Sequence, residues 1–332
     1  MSGASPSRRG ASTRIATVLL QLAVSLGLVV ALVFIVDWQG VHHAARALSA
    51  GGLVGVIALN FLAQAALIWR WRALLETVGV RESLARSWRT VFAGLFINNF
   101  MPGTLGSDGL RILLMARACG SAPVAIGAIA YERAMQVAIY VGLVALAALW
   151  PMDWLRPWLQ LLVIAAGACA ILALLLLLKW LGGRKISPAP PGASLVARGW
   201  AFLGAMLAET GRMQVRLRRH RRAQLLFALS SLVNVVLVIA AVMVTLHDMG
   251  QAVALPAVVF ALGIAMIASG LPISFGGIGV YEGALVLFLG LSGVPAEAGL
   301  LVALVGRACG VLNSLVGLPS ALMLWRERGL AG

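Results

Sequence analysis

Along most of this chain apolar residues follow one another without the polar back that a 3.6-residue stripe gives a soluble helix. Uncharged runs from Ile15 to Val36, Trp158 to Leu178, Ala223 to Leu246 and Ala252 to Leu271 each reach the roughly 20 residues that carry a helix across a bilayer. The pattern predicts helices near 15–36, 51–70, 122–150, 158–179, 223–246, 252–271 and 299–325. Trp69-Arg70-Trp71-Arg72 and the aromatic stretch Trp150 to Trp158 read as interfacial ends. The chain is therefore predicted to be an all-α polytopic membrane protein.

Two stretches break the apolar pattern: 98-NNFMPGTLGSDGLRILLMAR-117 and 271-LPISFGGIGVYEGALVLFLG-290. Pro102, Gly106 and Gly109 in the first stand at the same spacing as Pro272, Gly276 and Gly279 in the second, and Gly277 adds a further break. Each stretch leads into a helix carrying an arginine followed by alanine, Arg133-Ala134 and Arg307-Ala308. This reads as an internal duplication. Irregular backbone at membrane depth survives only where protein or a water-filled cavity satisfies its polar groups, so both stretches are expected to line a central site.

Charge placement orients the duplicated units. Arginine and lysine cluster at Arg8–Arg14, Arg70–Arg89, Lys179–Arg222 and Arg326 with Arg328, as cytoplasmic loops do. The first stretch then dips in from the cytoplasm and the second from the opposite face, the arrangement of an inverted repeat. The expected architecture is about six full transmembrane helices plus two oppositely oriented re-entrant broken-helix hairpins. In order these are a cytoplasmic tail (1–14), a first membrane half (15–181) with a hairpin near 91–117, and a basic linker with an amphipathic helix (182–222). A second half (223–325) with a hairpin near 252–293 and a cytoplasmic tail (326–332) complete it. Val196, Trp200, Leu203, Met206, Met213 and Leu217, with arginines between them, fit a helix on the inner leaflet, where anionic lipid is the expected partner.

A net charge of +15 among 332 residues follows from these loops and does not point to nucleic acid. Only 11% of residues are charged, against about a quarter in soluble domains. The apolar run behind Arg8, Arg9 and Arg14 exceeds the 7–15 residues of a signal peptide and is expected to stay as the first helix. Arginine far outnumbers Lys179 and Lys185, which suggests a GC-rich bacterial genome. Both termini are expected in the cytoplasm and the chain in the bacterial inner membrane. Cys119, Cys169 and Cys309 share no metal-like spacing, and His42, His43, His220 and His247 have no carboxylate cluster. Neither metal nor cofactor is expected.

Ionisable residues within membrane helices are costly and mark interiors or functional sites. Asp108, Arg111, Glu132, Arg133, Glu282 and Arg307 are the candidates. Asp108 and Arg111 are three apart and could pair, whereas Glu132 and Arg133 are adjacent and each requires a partner elsewhere. Gly306 and Gly310 flank Arg307 as a GxxxG motif, which allows close helix approach. A purely structural ion-pair network is one reading. The other is a phosphate-bearing head group held between Arg111, Arg133 and Arg307, with help from helix N-termini at Gly109 and Gly279. Asp108 and Glu282 would then meet a proton or a cationic group.

At these residues, 98-NNFMPGTLGSDGLR-111, 131-YER-133, 271-LPISFGGIGVYEGAL-285 and Arg307, the chain resembles the lysylphosphatidylglycerol synthase transmembrane (flippase-like) family, which includes a hopanoid-biosynthesis-associated branch. Gly-Ser-Asp at 106–108 replaces the family's Gly-Gly-Asp. The resemblance implies movement of a membrane phospholipid between leaflets; the residues form no catalytic constellation, so no enzymatic activity is expected. The aminoacyltransferase domain of the two-part synthases is not expected here, nor is lysine transfer. A homodimer or lipid-biosynthesis proteins are further candidate partners. The competing classes are a lipid-carrier-dependent glycosyltransferase, a small-solute secondary transporter and an accessory protein of lipid or hopanoid biosynthesis. The outer loops hold only the isolated Asp37, Asp153 and Asp248, which disfavours the glycosyltransferase.

Overall fold

A computed structural model describes residues 8–99, 105–185, 194–271, 274 and 277–329. Among them are thirteen helices and no strand. The first half comprises α1 (Arg8–Ile35), α2 (Trp38–Ala47), α3 (Ala50–Thr77), α4 (Leu84–Asn98), α5 (Leu105–Cys119) and α6 (Ala122–Ala147). The second comprises α7 (Pro157–Gly183), α8 (Leu195–Arg219), α9 (Arg221–Asp248), α10 (Leu255–Gly270), α11 (Val280–Gly290) and α12 (Ala296–Leu315), followed by α13 (Leu318–Gly329). Helices α3, α6, α7, α9 and α12 are long and apolar enough to cross a membrane, and α1 with α2, bent by 82°, supplies a sixth candidate if the pair counts as one span. The chain is a polytopic all-α membrane protein.

Each half repeats one order: a long helix, an amphipathic one, a second long helix, two half-length helices and a last span. Contacts repeat with it. The central pair is α3 against α9, α4 packs on α5 as α10 does on α11, and α5 packs on α6 as α11 does on α12. Across the halves α2 meets α12 while α8 meets α6, and α10 meets α6 while α4 meets α12. Such exchange of partners is what a pseudo-two-fold axis through the α3–α9 pair produces. Asn234 of α9 donates from Nδ2 to the Ala63 carbonyl of α3 at 2.8 Å, tying this pair together in the interior.

Local chemistry sets the boundaries. Ser49, Ser83 and Ser194 cap α3, α4 and α8 by accepting from the amide three residues on, and Asp37 caps α2 in the same way. Proline in the first turn starts α6, α7 and α10. Asp248 at the end of α9 accepts from the Ser49 amide at 2.6 Å and the Ser49 hydroxyl at 2.9 Å, joining the ends of the central pair.

Several expected boundaries change. The segment 37–50, read as a loop, contains α2. The helix expected to stop at Arg70 runs on to Thr77, so Arg70 and Trp71 are buried instead of interfacial, while Trp69 remains exposed. The run at 91–96, too short to span, is part of the half-length α4. The helix expected over 252–271 is the sixteen-residue α10. The last expected span divides at 316–317, just before Pro319, into α12 and α13. A side chain at Gly317 would run into the Phe92 carbonyl of α4, so the division also seats α13 against α4.

The two largest apolar cores among the described residues lie around Trp71, Phe92, Met115 and Met213 and around Leu246, Val258, Leu285 and Leu289. The outward faces carry Phe34, Leu161, Leu172, Leu225 and many other exposed apolar side chains. In water such a surface would drive aggregation, and in lipid it is the natural boundary.

Helix α8 divides its faces along its length. Val196, Trp200, Leu203 and Leu207 are exposed, whereas Ala208, Met213 and Leu217 are buried against the bundle. Glycines permit that docking. A Cβ on Gly127 would lie 2.8 Å from the Thr210 amide, and one on Gly211 would run into Gly182 N and the Leu178 carbonyl. Gly211→Ala is therefore expected to destabilise the protein by about 1–3 kcal/mol through overpacking, read as a lower melting temperature in detergent. Gly199→Ala on the same helix meets open space and should not lower it. Equal melting of the two variants would show that α8 does not pack this tightly.

Candidate functional site

Polar side chains that apolar helices carry inward meet around both broken stretches. In the first half, α5 begins at Leu105 and brings Asp108 and Arg111 to one side of its first two turns. α6 supplies Glu132 and Arg133, which point to different partners as adjacent helical residues do. Arg133 grips Asp108 through two bonds, Nε to Oδ2 at 2.9 Å and Nη2 to Oδ1 at 2.6 Å. Its Nη1 donates to Gln136 Oε1 at 2.9 Å, and Gln136 in turn donates to the Tyr140 hydroxyl.

Glu132, 1% exposed, receives Arg111 on both carboxylate oxygens and Arg70 of α3 on Oε1 at 2.8 Å. Arg111 lies over the Trp71 ring at 4.7 Å, and Trp71 Nε1 donates to Glu82 Oε2 at 3.1 Å. Three guanidinium groups thus surround two carboxylates in a closed network. The pair proposed from spacing, Asp108 with Arg111, is the loosest contact there at 3.9 Å.

In the second half, Gly279 has φ +84° and caps α11. A Cβ there would lie too close to the start of any side chain on α1, at Leu28. Gly277, also at positive φ (+74°), faces Ser269. The Gly279 amide donates to Glu282 Oε2 at 2.7 Å, while Arg307 Nε of α12 pairs with the other oxygen, Oε1. Arg307 Nη2 donates to the Gly277 carbonyl at 3.3 Å. Its Nη1 has no protein partner among the described residues, and the side chain is 36% exposed.

The two carboxylate–arginine pairs are equivalent in an unexpected register. Asp108 to Arg133 and Glu282 to Arg307 each span 25 residues and each use arginine Nε. The proline–glycine motifs stand 170 positions apart, the pairs 174. Carboxylate and arginine have moved together by about one helical turn, which keeps both on the same helix faces. In that pair register, Glu132 and Arg111 of the first half correspond to Gly306 and Leu285 of the second. The first half closes with a charge network; the second leaves space.

That space is a cavity of about 260 Å³ bounded by α3, α9, α10, α11 and α12. Its polar lining is Asn60, Gln64, Thr245, Ser269, Tyr281 and Arg307. Gly306 and Gly310 open onto it, and a Cβ on either would meet nothing within 4 Å, so the GxxxG motif makes room instead of a close helix contact.

The structure therefore places the six candidate charges in two groups. Asp108, Arg111, Glu132 and Arg133 form the buried network, and Glu282 with Arg307 sits at the cavity. Gly279 starts a broken helix as expected. Gly109 lies inside α5, not at its start, and Gly106 lies in the first turn, where a Cβ would press within 2.9 Å of the Ile97–Asn98 backbone. Pro102, Pro272 and Gly276 lie outside the described residues. Sequence reasoning missed Arg70, assigned to a cytoplasmic block, and the pair Asn60 and Gln64. Two polar residues four apart on an otherwise apolar helix were the available signal for that pair.

A family model described as the lysylphosphatidylglycerol synthase TM region matches residues 18–317. No curated protein matches the chain. The match spans both halves, both broken stretches and every charged residue of the two groups, and the chain belongs to the family of lysylphosphatidylglycerol synthase transmembrane regions.

Proposed function

We propose that this protein moves a phospholipid between the leaflets of a bacterial cytoplasmic membrane, with both of its termini on the cytoplasmic side. The observation that carries this reading is the Arg307 guanidinium: oriented by Glu282 and Gly277, it keeps one nitrogen without a partner among the described residues at a polar cavity inside a lipid-facing bundle. A planar, permanently charged donor suits a phosphodiester. The cavity is at or below the small end of ligand pockets, so it fits a head group while the acyl chains remain in the bilayer. Helices from both halves wall it, and relative movement of the halves would open it to one leaflet and then the other.

The test is leaflet exchange of acyl-labelled phospholipids in proteoliposomes. The native protein is expected to accelerate exchange over empty liposomes. Arg307→Ala is expected to reduce it about tenfold or more, the loss of one charge-assisted hydrogen bond of roughly 1.5–3 kcal/mol. Exchange no faster than in empty liposomes, from folded protein across a broad lipid panel, would sink the proposal.

A further inference from the structure

Several polar side chains around the cavity bond first to their own helices. Asn60 Nδ2 donates to the Val56 carbonyl of its own helix at 3.0 Å, Thr245 Oγ1 to Ala241 at 2.8 Å and Ser269 Oγ to Met266 at 3.0 Å. The single hydroxyl donors of Thr245 and Ser269 are thus spent within the helices, which leaves their oxygens as acceptors, while Asn60 keeps its Oδ1 and one further N–H. Gln64 Oε1 is buried with no partner among the described residues. A buried acceptor left unpaired costs about 1–3 kcal/mol, which a ligand donor would recover. Arg307, over the Tyr281 ring, is the cationic donor of the lining among the described residues. The cavity thus joins one positive donor to a neutral set of groups that offers several acceptors.

We infer that Gln64, with Asn60, Thr245 and Ser269, forms a subsite for the terminal group of a phosphodiester head group whose N–H or O–H donors it accepts, with Arg307 on the phosphate. A primary ammonium or a polyol satisfies these acceptors. A trimethylammonium has no donor to offer, and leaves Gln64 Oε1 as unpaired as in the empty site. Rejection by unmet hydrogen bonds is the strong form of discrimination. The inference rests on the reading of this cavity as the head-group site and adds which head groups enter it.

The experiment is equilibrium binding of water-soluble short-chain phospholipids to detergent-solubilised full-length protein. Ethanolamine, glycerol and choline head groups on identical chains are compared by calorimetry. The ethanolamine and glycerol lipids are expected to bind about tenfold or more tightly than the choline lipid, one hydrogen bond's worth. Gln64→Leu is expected to erase that preference by weakening the first two alone. Gln64→Glu provides a gain that misfolding cannot mimic: the ethanolamine lipid should bind more tightly than in the native protein, and the glycerol lipid more weakly. Equal binding of the three head groups to native protein, or either variant leaving the preference unchanged, overturns the subsite. Head-group preference without leaflet exchange in proteoliposomes would preserve the subsite and refute translocation, and exchange without preference would do the reverse.

Discussion

Glu132→Ala is expected to cost about 3–5 kcal/mol of folding stability, the usual penalty for leaving buried charge without its counter-ion. Arg70 and Arg111 both converge on this one carboxylate, and each already leaves Nε buried without a partner among the described residues. Truncation would strand two guanidinium groups at once, with Asp108, already gripped by Arg133, as the one other carboxylate within 4 Å of Arg111 among the described residues. Against a total of roughly 5–15 kcal/mol, such a loss should appear as a steep drop in melting temperature and aggregation in detergent. Glu132→Gln keeps an acceptor oxygen and should fall between the two. Adding Arg70→Met and Arg111→Leu to Glu132→Ala should recover much of the loss, because a buried ionic cluster replaced by apolar side chains of similar size is often neutral. An unchanged melting temperature for Glu132→Ala would mean that the arginines reach water and that the network is not closed.

The difference between this network and the cavity explains what could be read from the residues in order. Long uncharged runs and the repeated proline–glycine spacing revealed the helical membrane class and the duplication, because both are local patterns in a chain with few charges. Asp108, Glu132 and Glu282 were recognisable for the same reason: an ionisable residue among apolar neighbours is rare. Arg111, Arg133 and Arg307 stood out with them, but which carboxylate each one holds did not, and Arg70 was missed. Arg70 is separated from Glu132 by 62 positions and stands in a Trp-Arg-Trp-Arg run that also suits an interface; only the continuation of α3 to Thr77 carries it into the interior. The one-turn shift that keeps Asp108–Arg133 and Glu282–Arg307 equivalent was hidden because the glycine motifs align at a different offset. The cavity was the least legible feature. It exists because Gly306 occupies the position that Glu132 fills in the other half, and an unfilled volume leaves no mark until the helices are packed.

Exchanging the members of the second pair separates a structural role from a functional one. Glu282→Arg alone would bring two arginines together at the start of α11 and replace the carboxylate that accepts from the Gly279 amide. It is expected to lose both stability and lipid exchange. Combining it with Arg307→Glu restores an ion pair between α11 and α12, so the melting temperature should rise above that of Glu282→Arg. Recovery should remain incomplete. A cation at the N-terminal turn of α11 opposes the helix dipole by about 0.3–1 kcal/mol, and a carboxylate at 307 cannot donate to the Gly277 carbonyl. Exchange should stay at the level of empty liposomes, because the group then facing the cavity is an anion that repels phosphate. The measurement is melting temperature and proteoliposome exchange on the same preparations of the native, single and double variants. Recovery of both properties together would identify the pair as a fastening between helices and remove Arg307 from the head-group site; recovery of stability alone would leave the cavity-facing guanidinium of Arg307 as the feature on which transport depends.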